Sequence, residues 1–91
     1  MKARASVNFK GKVQGVFFRA NTRDAAVRFG VVGWVMNLPD GSVGAVFEGE
    51  KQEIENLIDW CKRKQPHAHV DSADVRWEEY IGEFRGFNIR Y

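Results

Sequence analysis

An α+β fold, with two helices on one face of an antiparallel sheet in a split βαβ arrangement, is what three features of this sequence predict together. Polar and apolar residues alternate at both ends of the chain. Two internal segments carry apolar residues at helical spacing. Between those segments, a proline and glycine turn separates two extended runs. With 91 residues, 44% of them hydrophobic, the chain is long enough for one core and too short for two, so residues 1–91 are expected to form a single domain.

Ala3, Ala5, Val7 and Phe9 alternate with Lys2, Arg4, Ser6, Asn8 and Lys10, as in a strand with one wet face. A loop from Gly11 to Phe18 follows. In "RANTRDAAVRFG", Thr22, Ala25, Ala26 and Phe29 share one helical face, and Gly30 stands where helices commonly stop. "VVGWVMN" and "VGAVFEGE" flank the turn "LPDGS", which makes residues 31–49 a hairpin. Ile54, Leu57, Ile58 and Cys61 mark a second amphipathic helix, with acids in its first turn, Lys62, Arg63 and Lys64 in its last, and Pro66 beyond it. A strand from Val70 to Trp77 and the short alternating "GFNIRY" complete the order strand, helix, strand, strand, helix, strand. This is the ferredoxin-like βαββαβ order. Its right-handed βαβ unit makes the first two strands parallel with a third between them, so the loop after strand one and Asn37 at the end of strand two should meet at one sheet edge.

Composition narrows the classes of function. A net charge of +2, with both signs interspersed, lacks the basic stripe of a nucleic-acid binder. No stretch is long enough to cross a bilayer. "MKARASVNFK" alternates where a signal peptide would run apolar, and one cysteine allows no internal disulfide, so the expected compartment is the cytoplasm. No nucleic acid, membrane or obligate protein partner is expected.

The residues that carry chemistry lie in "GKVQGVFFR", residues 11–19. Arg19 falls in the first turn of a helix, where the dipole disfavours a cation by about 0.3 to 1 kcal/mol. A bound anion reverses that sign, because a glycine-flanked loop can turn its N–H groups inward beside the guanidinium. Alone, Gly11 and Gly15 are readily explained as turn residues, Arg19 as a solvated one, and Asn37 as a turn-former before Pro-Asp-Gly. Their meeting at one edge favours an anion site with an amide beside it.

In this order and spacing, "GKVQGVFFR" and "GWVMNLPDGSVGAVFEG" resemble the two signatures of the acylphosphatase family, and the resemblance runs through the terminal "GFNIRY". Asn37, Gly41, Val43 and Gly49 all fit the second signature; Phe9 stands where the family more often has an aliphatic residue. The resemblance implies a cytoplasmic hydrolase of the carboxyl-phosphate bond of acylphosphates, releasing a carboxylate and inorganic phosphate with no metal or organic cofactor. It implies that Arg19 and the backbone amides of Gln14, Gly15, Val16, Phe17 and Phe18 bind the phosphoryl group, and that Asn37 positions the attacking water.

The other reactive side chains suggest no competing mechanism. Cys61 lies on an apolar helix face; Ser6, Ser42 and Ser72 have no histidine at relay spacing; His67 and His69 lack a ligand pattern around them. Trp34, Phe47, Trp60, Phe84 and Phe87 read as packing residues, while one of Phe17 and Phe18 should wall the loop and the other enter the core. Two alternatives remain: a non-catalytic ferredoxin-like module that binds an anion or other ligand, and a domain of a larger hydrogenase maturation protein, against which Met1 and the compact ending favour a free-standing enzyme. The non-catalytic reading needs exposed aromatics on the open sheet face, and strand three, with Ser42, Gly44, Val46 and Glu48 on that side, offers few.

Overall fold

The computed structural model describes residues Met1–Tyr91. In chain order it contains β1 (Lys2–Lys12), α1 (Phe18–Phe29), β2 (Val32–Asn37), β3 (Val43–Glu50), α2 (Lys51–Arg63), β4 (His69–Glu78) and β5 (Phe87–Arg90). The sheet order is β4-β1-β3-β2-β5. β3 runs antiparallel to both β1 and β2, which makes those two parallel with β3 inserted between them, as the sequence predicts. β5 lies parallel to β2 at the outer edge, a position the alternation of "GFNIRY" did not specify.

The helices form where apolar residues recur every three or four positions. α1 buries Phe18, Thr22, Ala25 and Ala26, and α2 buries Ile54, Leu57, Ile58 and Cys61. These stripes share one core with Ala5, Val7 and Phe9 of β1 and Val43, Ala45 and Phe47 of β3. Phe9 and Phe18 meet with ring centroids 5.2 Å apart, and a tilted pair of this kind contributes about 0.5–1.5 kcal/mol beyond its buried area. α1 ends at Gly30, whose φ of 71° lets its N–H reach Val27 O while Val31 N–H reaches Ala26 O, closing the last carbonyls in a Schellman turn. No helix is long and apolar enough to cross a membrane.

The far face of β3 differs from the expectation that it would lie open. Ser42, Gly44, Val46 and Glu48 are all buried, and Glu48 is 0% exposed. Its carboxylate accepts the Arg4 Nη1 donor at 3.2 Å, Ile81 N–H at 2.9 Å and Gly82 N–H at 3.2 Å. Arg4 also binds Glu83 at 2.8 Å and Glu78 at 3.3 Å, with its guanidinium 5.3 Å from the Phe84 ring centroid. Residues 79–86, which have no regular structure, are therefore tied across the end of the sheet by a buried charge. Alternation alone misses this because a strap from a distant segment covers the residue.

Burial raises the pKa of the Glu48 carboxyl, but the N–H groups of Ile81 and Gly82 and the Arg4 cation outweigh it and hold the group below the usual carboxylate range. The folded state thus binds this proton less readily than the unfolded chain, so the stabilisation is present above the ordinary carboxyl pKa and is lost as the pH falls through the depressed value. Glu48→Gln should cost about 1–3 kcal/mol near neutral pH. Chemical denaturation as a function of pH should show it, with the variant losing less stability than the native chain below about pH 5.

Candidate active site

The loop between β1 and α1 is held in alternating hands. Gly15 has φ 74° and Phe17 φ 61°, while Val16 and Phe18 between and after them are not left-handed. Such alternation turns successive N–H groups to one side. The N–H groups of residues 14–20 donate to no other group in the chain; the first helical bond is Asn21 N–H to Phe17 O at 3.0 Å. A left-handed phenylalanine is unusual and costs on the order of 1–3 kcal/mol, a strain characteristic of functional loops. It separates the two aromatics: Phe18 is 2% exposed in the core, and Phe17 is 77% exposed at the surface.

Gly15, Phe17, Phe18, Arg19 and Asn37 line one cavity of about 360 Å³. The sheet topology therefore brings the first loop and the end of β2 together. Arg19 is the second residue of α1, and its Nη1 donates to Arg90 O at 3.3 Å while its guanidinium lies 4.7 Å from the Tyr91 ring centroid. Asn37 ends β2 opposite Val43, and its Oδ1 is buried with no hydrogen-bond partner in the chain. A buried acceptor without a donor is costly and calls for a ligand or water.

Gln14 and Val16 do not line the cavity. Val16 is buried, and its N–H has no partner in the chain. The Gln14 side chain turns away to donate from Nε2 to Leu38 O and Ser42 O, both at 2.8 Å. Those carbonyls belong to the turn after Asn37, which is closed by Leu38 N–H to Ser42 O at 2.9 Å and Gly41 N–H to Leu38 O at 3.1 Å. Within that turn the Ser42 hydroxyl and N–H hold the Asp40 carboxyl below the usual carboxylate range. Gln14 thus locks the two halves of the site to each other through its amide. The sequence gives no sign of this clamp, because nothing local says where a glutamine amide will point.

Val13, Ala20, Ile89 and Tyr91 also line the cavity and were not anticipated. The alternation of "GFNIRY" already put Phe87, Ile89 and Tyr91 on one face, so the signal existed; what was missing was the place of β5 beside β2. Cys61 is fully buried against Thr22, with Sγ and Oγ1 3.6 Å apart, and burial pushes the thiol up to about 11. His67 and His69 are exposed, and His69 pairs only with Asp71 at 3.1 Å. Gln65 donates to Phe18 O at 3.2 Å and Thr22 Oγ1 at 2.8 Å, tying the end of α2 to the first turn of α1.

Gln14→Leu removes both clamp bonds and leaves Leu38 O and Ser42 O with one donor each inside their turn, which at about 0.5–1.5 kcal/mol per bond should lower stability by about 1–3 kcal/mol. Amide hydrogen exchange should rise over residues 38–42, while the core of α2 keeps its protection. Cys61 should resist thiol reagents at pH 8 in the folded protein and react fully once it is unfolded, as a mass measurement would report.

Three comparisons with known proteins agree. The description of the acylphosphatase family, "Acylphosphatase", matches residues 5–89. An acylphosphatase from Syntrophus aciditrophicus is 58% identical over 91 residues, covering 100% of this chain and 95% of its own. One from Aeropyrum pernix is 55% identical, covering 97% and 88%. Among solved structures, the acylphosphatase of Bacillus subtilis superposes with a TM-score of 0.93 at 27% identity over 100% of both chains. Full-length HypF matches at a TM-score of 0.91 and 29% identity, with the chain covering 12% of it. Matched by the family description over residues 5–89 and by full-length relatives at more than half identity, the chain belongs to the acylphosphatase family.

Proposed function

We propose that residues 1–91 act as one acylphosphatase domain, hydrolysing the carboxyl-phosphate bond of acylphosphates to a carboxylate and inorganic phosphate by direct attack of water. The observation that carries this reading is the convergence on one cavity of Arg19, of Gly15, Phe17 and Phe18, whose N–H groups have no partner in the chain, and of Asn37, whose buried Oδ1 has none either. In this reading the phosphoryl oxygens are held by Arg19 and by the N–H groups of Gln14, Gly15, Val16, Phe17 and Phe18. Asn37 Oδ1 accepts from the attacking water and orients it.

The chemistry asks for little more. Phosphoryl transfer passes through a loose, metaphosphate-like transition state, so positioning and charge stabilisation dominate. A carboxylate leaves without a general acid. The loop donors are fixed before substrate arrives, and losing one such donor typically costs on the order of 2.7–4 kcal/mol of transition-state stabilisation. An amide cannot exchange protons near neutral pH, but it accepts and donates hydrogen bonds, which suits orientation. Cys61, with its buried neutral thiol, is a poor phosphoryl acceptor, and the hydroxyls of Ser6 and Ser42 donate to Glu78 and Asp40. The mechanism calls on no metal, and no group of three His, Cys, Asp or Glu side chains gathers to hold one. The substrate is a small molecule, so the reading requires no nucleic acid, membrane or protein partner. A cytoplasmic setting is consistent with a lone, unpaired cysteine.

Benzoyl phosphate should be hydrolysed with EDTA present, and inorganic phosphate should inhibit competitively. Arg19→Ala should lower kcat/KM by at least about 100-fold. Asn37→Ala should be nearly inactive while its circular dichroism and Tm stay close to native. Phosphate binding without hydrolysis of any acylphosphate would replace this reading with the non-catalytic anion-binding module.

A further inference from the structure

β4 is the long open edge of the sheet. It pairs only with β1, so one side of this ten-residue strand turns its backbone N–H and C=O groups to solvent. Proteins commonly blunt such an edge with proline, lysine or a bulge. Here the register with β1 passes from Lys10 opposite Ser72 to Gly11 opposite Val70, which leaves Asp71 as a bulge. From Ser72 to Glu78 the pairing is regular, and that stretch holds neither proline nor lysine. Val75 is its midpoint.

The two faces of this stretch differ. Ala73, Val75 and Trp77 stand opposite Phe9, Val7 and Ala5 of the core and so share the helix side, yet Val75 is 39% exposed and Trp77 40%. Asp74 and Arg76 stand opposite Asn8 and Ser6 on the other side. Asp74 has one ion pair, with the exposed Lys10 at 3.7 Å, and Arg76 has none.

These seven residues are complementary to themselves. A two-fold axis through Val75, normal to the sheet, sets an antiparallel second copy with Val75 on Val75, Ala73 on Trp77, Ser72 on Glu78, and Asp74 on Arg76 in both directions. Apolar residues then meet on the helix side, and two opposite-charge pairs form on the other. Moving the axis by one residue undoes this. Centred on Asp74, it opposes two carboxylates; centred on Arg76, it opposes two guanidinium groups and sets Asp74 against Glu78 twice. Like charges directly opposite are destabilising, so the strand specifies a register as well as a contact.

We infer that β4 is a homodimer interface, at which two copies of this chain join antiparallel through residues 72–78, in register about Val75, into one ten-stranded sheet. The other sheet edge, β5, is four residues long and lies beside the cavity. No residue lining that cavity belongs to β4, so interface and cavity are separate.

Sedimentation velocity should show a native dimer that dissociates on dilution from about 100 μM to about 1 μM, the range for an interface at the small end of specific ones. Arg76→Asp and Asp74→Arg each set like charges against each other in both pairs, and each should weaken the dimer at least about tenfold. Both positions are exposed, so circular dichroism and Tm should stay near native. An equimolar mixture of the two variants restores both opposite-charge pairs and should sediment as a dimer. So should the chain that carries both substitutions. A native chain that stays monomeric at every concentration overturns the inference and leaves β4 free for a strand of another protein. A dimer that either single variant leaves intact overturns it too, and so do variants that fail to pair when mixed.

Discussion

The site depends on one pairing constraint: β3 is hydrogen-bonded to both β1 and β2 and antiparallel to each. That arrangement forces β1 and β2 to end at the same edge, and it is the reason a loop near residue 15 can face an asparagine at position 37. It also leaves β3 with neighbours on both sides and, from Val43 to Gly49, with no exposed residue. A strand so enclosed must satisfy every polar group it carries. The Glu48 carboxylate is the severe case, and Arg4 together with the N–H groups of Ile81 and Gly82 is the solution.

At the opposite end the logic is inverted. The core and the Glu48 cluster leave few polar groups unpaired, whereas the loop from Gln14 to Phe18 presents a row of N–H groups that donate to nothing in the chain. A loop of free donors is unstable in isolation, and here it is braced from three directions. Phe18 anchors it in the core against Phe9, Gln14 ties it to the turn after Asn37, and Gln65 holds the first turn of α1. The left-handed strain at Phe17 is tolerated because these braces determine the loop geometry around it.

Much of this was legible in the sequence, and the division follows a physical line. Periodicity reports which face of an element is buried, so both helices, the hairpin and the terminal strands lie within a few residues of where alternation and helical spacing place them. Handedness of the βαβ unit then predicts the meeting of Arg19 and Asn37 without any side-chain information. Contacts made by amides, carbonyls and irregular segments leave no periodic trace. The Gln14 clamp, the Gln65 brace and the strap over Glu48 were invisible for that reason. So was the choice between Phe17 and Phe18, which the left-handed turn decides.

The bond from Arg19 to the Arg90 carbonyl has a thermodynamic side of its own. A long arginine loses up to about 2 kcal/mol of rotamer entropy when it is fixed, and here much of that loss is incurred on folding, with Tyr91 and the carbonyl as jigs. In the proposed function, an arriving phosphoryl group would exchange partners with a side chain already in place. On that proposal the same carbonyl would be an intramolecular competitor once the reaction is over, a neutral acceptor to which the guanidinium returns as the anion departs, so β5 would serve turnover as well as capture.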